Sequence, residues 1–205
     1  MFGETEGTDG EWFASDTADV QTFKRRRFHV ITDTTAMNLA KFLLQERERD
    51  RLIRGVKSNL FQLHLDFGLE GNCEQLSISE ARRIIAIVNA SGGLKRFEAQ
   101  HCFGNAQRLI AKDMGETLKY YEGFAVIDLV NDLTHHAWVS INGKVVDLTW
   151  RTAFKKTSPG ARASYFGVDI PYLDVLRNIF RFHQHRPLMD NQEFVKEHFQ
   201  SLKRI

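Results

Sequence analysis

The chain has 205 residues, 42% of them hydrophobic and 26% charged, which is enough for one domain with a core and too few for two comfortable ones. No apolar run of about 18 residues occurs and the N-terminus opens without a basic region followed by an apolar one, so neither a membrane span nor a secretory signal is expected. Two cysteines, Cys73 and Cys102, are too few to frame a disulfide-dependent secreted fold, so a reducing cytoplasm is the expected compartment.

The formal charge of +2 conceals an uneven distribution. Residues 1–19 carry six carboxylates and no Lys or Arg, which leaves +8 for the remainder, beginning with Lys24-Arg25-Arg26-Arg27. A basic run can mark nucleic acid, but without an accompanying motif it reads as a solvated edge. The expected organisation is therefore a flexible acidic tail over 1–19 and a single domain over 20–205.

In chain order, Met37, Ala40 and Leu44 recur at helical spacing and predict a helix over 36–54, stopped by Gly55. Phe61, Leu63, Leu65 and Phe67 alternate with polar residues and predict a half-buried strand with His64 on its wetter face. A helix from about Ser79 to Ala90 ends at Ser91-Gly92-Gly93. Next, Cys102, Ala106, Leu109, Ile110 and Asp113 form the inward stripe of a helix closed by Met114-Gly115. Strands follow over Leu118–Val130, His135–Ile141 and Lys144–Trp150, the last two joined by the hairpin signal Asn142-Gly143. Two helices close the chain, one after Pro171 and one after Asp190, where Asp190 and Glu193 resemble a capping box. Helices, then an antiparallel sheet, then helices make an α+β fold.

A nucleophilic cysteine must be thiolate near neutral pH, and a helix N-terminus or an imidazolium favours that state. Cys102 has this address, whereas Cys73 has no helix behind it. A two-residue turn at Asn142-Gly143 sets Ile141 opposite Lys144, Trp138 opposite Asp147 and His136 opposite Thr149. His136, Trp138, Asp147 and Thr149 then share one face, with His136 and Asp147 diagonal neighbours about 7 Å apart at Cα, while His135 points to the other. A carboxylate there fixes the imidazole tautomer and turns the second ring nitrogen to a thiol, the logic of a Cys–His–Asp triad. Taken singly, Cys102 also reads as a packed thiol, and His136 with Asp147 as an ordinary cross-strand polar pair.

The order Cys102, Tyr121-Glu122-Gly123-Phe124, His136-Ala137-Trp138 and Val145-Val146-Asp147-Leu148-Thr149-Trp150 resembles the transglutaminase-like branch of the papain-fold cysteine enzymes. The resemblance covers about residues 100–150, and no calcium-site pattern of the eukaryotic transglutaminases accompanies it. It implies a cysteine-bearing helix packed on an antiparallel sheet with flanking helices. It also implies Cys102 as nucleophile, His136 as general base and acid, and Asp147 as the carboxylate that orients it. The Cys102 backbone N–H is the natural first oxyanion donor, with Gln100, Asn89 and Asn105 as side-chain candidates for the second, although Asn105 also suits a local backbone bond. Trp138 either shields the His–Asp pair or fills the core. His183, His185 and His198 lack metal-ligand spacing, so no metal and no cofactor are expected. The function expected is a cysteine-dependent amide hydrolase or acyltransferase acting through a Cys102 thioester on a protein or small amide. The rival is a catalytically silent binding module that uses its basic surface.

Overall fold

The computed structural model of the protein describes residues 64, 66–127, 133–150, 163–182 and 185–202. The acidic tail, the Lys24 to Arg27 run, the helix expected over 36–54 and His183 lie outside them. The architecture is α+β. A five-stranded antiparallel sheet has the order β1-β5-β2-β3-β4, formed by β1 (Leu69–Glu70), β2 (Leu118–Ile127), β3 (Leu133–Ile141), β4 (Lys144–Val146) and β5 (Ala163–Ile170). Among the described residues four α-helices accompany it: α1 (Ile78–Ala90), α2 (Cys102–Asp113), α3 (Tyr172–Phe182) and α4 (Gln192–Leu202).

Helix α1 starts in a capping box. Ser77 accepts the Glu80 amide at 3.2 Å, and Glu80 accepts the Ser77 amide at 2.6 Å. Helix α2 buries the predicted stripe of Cys102, Ala106, Leu109, Ile110 and Asp113. Its end is fixed by Met114 in the left-handed conformation and by the Asp113 carboxylate, which accepts the Thr117 and Leu118 amides at 2.7 Å each and the Arg83 guanidinium at 2.9 Å.

Alternation along β3 divides the sheet into two faces. Ala137, Val139 and Ile141 join the main core with Leu109 and Ile110 of α2, Ile84 and Ile87 of α1 and Tyr120 of β2. On the other face, Trp138 packs with Ala125 and Tyr165. The Asn142-Gly143 turn has φ of 51° and 80°, the left-handed pair that a two-residue hairpin requires. It produces the predicted register, Ile141↔Lys144, Ser140↔Val145 and Val139↔Val146. Glu80 holds the turn from below, accepting from Asn142 Nδ2 at 2.9 Å and Lys144 Nζ at 3.1 Å.

Four expectations are corrected. The strand expected over Lys144–Trp150 stops at Val146, and Leu148–Trp150 form a helical turn because Asp147 accepts the Thr149 and Trp150 amides at 2.9 and 3.2 Å. Thr149 therefore does not stand across from His136. In the segment expected as a strand over 61–67, the described residues His64, Asp66 and Phe67 are helical, and His64 is fully buried rather than on a wet face. Strand β5 was not predicted, although it lies inside the sheet between β1 and β2. Gly167 interrupts its apolar pattern, and it does so of necessity: a Cβ there would run into the Trp138 indole and the Glu122 carbonyl. Finally, α4 is capped by Asn191, which accepts the Glu193 and Phe194 amides, and not by Asp190. Among the described residues no helix is long and apolar enough to cross a membrane.

Candidate active site

Cys102 is the first residue of α2 and is buried at 7% exposure. The preceding residue, His101, makes no side-chain capping bond, so the first-turn amides keep their partial positive charge beside the sulfur. His136 reaches the site from β3 and is 1% exposed, with Nε2 at 2.7 Å from Asp147 Oδ2. That contact commits Nε2 and leaves Nδ1 for the sulfur. Burial disfavours the charged ring, but the Asp147 carboxylate and then the Cys102 side chain, by hydrogen bonding and by charge, raise the His136 pKa to about 9. The structure thus brings Cys102, His136 and Asp147 into one buried cluster.

Asp147 is held from several directions. Oδ1 accepts the two amides of the turn it caps, and Oδ2 accepts His136 and, at 3.0 Å, the Tyr165 hydroxyl. Burial and then the charge of Asp147 push the Tyr165 phenol well above its ordinary range, so it remains a donor. Trp150 stacks on the imidazole with ring centres 4.3 Å apart and planes 23° apart. Trp138 stacks instead on Tyr121 at 5.7 Å and packs on Tyr165, so the ring that covers His136 is Trp150. Tyr165 was missed because its strand was unread. Trp150 closed the motif carrying the resemblance, but a strand reading of 144–150 gave it no position over the histidine.

Among the oxyanion candidates, Asn105 is committed elsewhere. Its Nδ2 donates to Glu98 O at 2.7 Å and Thr149 Oγ1 at 2.8 Å, and its Oδ1 accepts the Glu98 amide, so no amide hydrogen is left for a substrate. Asn89 is exposed on the last turn of α1, outside the buried cluster. Gln100 is exposed in the loop two residues before Cys102, at φ 69°.

The neighbouring groups are chemically quiet. His135 lies on the opposite face between Phe103 and Phe124, and burial, with smaller contributions from His64 and His136, lowers its pKa to about 4. Cys73 is half-buried with Sγ 3.5 Å from Ala163 O, and its thiol is pushed up to about 12 by burial and then by Glu70 and Asp147. Among the described residues no group of three or more His, Cys, Asp and Glu side chains is arranged to hold a metal ion. Comparison of the chain with protein families, with curated proteins and with solved structures finds no match.

Proposed function

We propose that the protein is a cysteine-dependent amide hydrolase or acyltransferase that works through a thioester at Cys102, in a papain/transglutaminase-like arrangement of helix and sheet. The observation that carries this reading is the buried 2.7 Å His136–Asp147 contact with Cys102 beside the same imidazole at a helix start. In such a cluster the imidazolium stabilises the thiolate, which attacks the amide carbonyl as the C–S bond forms. The Cys102 N–H faces the developing oxyanion. His136 then gives its proton to the departing amine as the C–N bond breaks, and Asp147 keeps the ring in the productive tautomer. Water or an incoming amine, deprotonated by His136, resolves the thioester.

The test is competitive alkylation by iodoacetamide at pH 6–7, followed by peptide mapping. Cys102 is expected to label at least about tenfold faster than Cys73, whose thiol at about 12 is almost wholly protonated there. Equal, slow labelling of both would leave a packed thiol and remove the proposal.

A further inference from the structure

Tyr165 meets Asp147 from β5, two strands away from His136 in the sheet. The row next to His136 carries glycine on both intervening positions, Gly123 on β2 and Gly167 on β5, which leaves room above the sheet for large rings. Trp138 occupies the space over Gly167, and Tyr165 packs on Trp138 with ring centres 5.1 Å apart. Trp150 lies against the same phenol at 5.6 Å, and Gly71 comes so close behind it that a Cβ there would fall 2.7 Å from that of Tyr165. The ring is buried and fixed, a role that phenylalanine would fill equally well. Packing does not account for the hydroxyl.

That hydroxyl donates to Asp147 Oδ2 at 3.0 Å, the same oxygen that His136 Nε2 meets at 2.7 Å. Oδ1 is filled separately by the Thr149 and Trp150 amides, so the carboxylate keeps its orientation without the phenol. What the phenol changes is the shared oxygen, where a second donor takes up part of the negative charge that would otherwise stabilise the imidazolium. We propose that Tyr165 is a positioning residue acting through Asp147: by sharing Oδ2 with His136 it loosens the carboxylate's hold on the imidazolium, so that Nδ1 can release its proton to the departing amine. The proposal rests on the thioester reading of Cys102 and adds a residue to that site. The hold is strong, since against the burial of the ring Asp147 and then Cys102 raise the His136 pKa to about 9, and a general acid works best near the pH at which it operates. Among the described residues, the titratable groups facing the pair are Cys102 from α2, Tyr165 from β5, Cys73 from the stretch between β1 and α1, and His135 beside it on β3. Cys73, pushed up to about 12 by burial and then by Glu70 and Asp147, and His135, lowered to about 4 mainly by burial, keep their charge state where His136 titrates.

The experiment is an NMR titration of the His136 ring in the full chain carrying Cys102→Ala, which removes the coupled thiol. Three versions are compared: Tyr165, Tyr165→Phe and a ring-fluorinated tyrosine at position 165. Tyr165→Phe is expected to raise the midpoint by about half a unit, roughly threefold in proton affinity, and the fluorinated phenol, a stronger donor, to lower it. A residue that only packs would move neither. Midpoints that stay in place, or that shift in any other sense, would overturn the proposal. Slow alkylation of Cys102 in the wild-type protein would instead count against the thioester reading, and the titration, made without that cysteine, would still decide the role of Tyr165.

Discussion

His135 and His136 are adjacent in sequence, yet they occupy different physical environments. His136 has a carboxylate at 2.7 Å and is held toward its charged form, whereas His135 lies between two phenylalanine rings and is held neutral. His136→Ala is therefore expected to lower turnover by about 10³-fold or more, because both the base and the acid of the reaction are lost. Asp147→Ala should cost about 10²-fold, since an imidazole without its carboxylate still visits the productive tautomer. His135→Ala should stay within about twofold of wild type. Steady-state rates of the three variants decide the matter, and a tolerated His136→Ala beside an inactive His135→Ala would contradict it. The His136–Asp147 contact was legible because Asn142-Gly143 fixes the register, and a one-residue slip would exchange the faces of both histidines. The route by which Asp147 arrives was not legible. Leu148 and Thr149 continue a plausible strand pattern, and only the capture of the Thr149 and Trp150 amides by the Asp147 carboxylate turns the chain into a helix.

The elements that position the site are joined by single side chains. Glu80 closes the capping box of α1 and also holds both ends of the β3–β4 turn, so one carboxylate sets the helix start and the hairpin from which His136 and Asp147 project. Hydrogen bonds from Asn142 and the Ser77 amide, with Lys144, lower its pKa from 4.5 to about 2. A carboxyl depressed in the folded state contributes stability that is fully present above its unfolded value, about 4.5, and is lost as the pH falls toward 2. Glu80→Gln should cost about 1–2 kcal/mol at pH 7. The gap between wild type and variant should narrow between pH 4.5 and 2 in denaturant titrations, and a gap independent of pH would contradict this role. Helix α2 was legible because its apolar stripe, its Met114-Gly115 end and its length agree with one another. Strand β5 was not, because Gly167 breaks its pattern for the sake of a tertiary contact, the Trp138 ring, that no local rule anticipates.

Across the whole molecule, the sheet carries the His136–Asp147 pair on one face and the main core on the other. The C-terminal segment is fastened to that core by Glu122, a fully buried carboxylate that accepts the Leu188 and Met189 amides at 2.8 and 2.9 Å and the Tyr120 hydroxyl at 2.7 Å. Burial is the main reason its pKa rises to about 7. Thr149 accepts from Asn105, which ties the helix bearing the cysteine to the turn that follows the aspartate, so the three members of the cluster belong to one packed unit. The central claim is that this unit activates Cys102 for acyl transfer. It is tested most directly by incubating the protein with p-nitrophenyl acetate and mapping the acyl group by mass spectrometry. The account predicts an acetyl group on Cys102 that neutral hydroxylamine removes, absent in Cys102→Ala and strongly reduced in His136→Ala. No acetyl group on Cys102, or equal acetylation of Cys102 and Cys73, would contradict it.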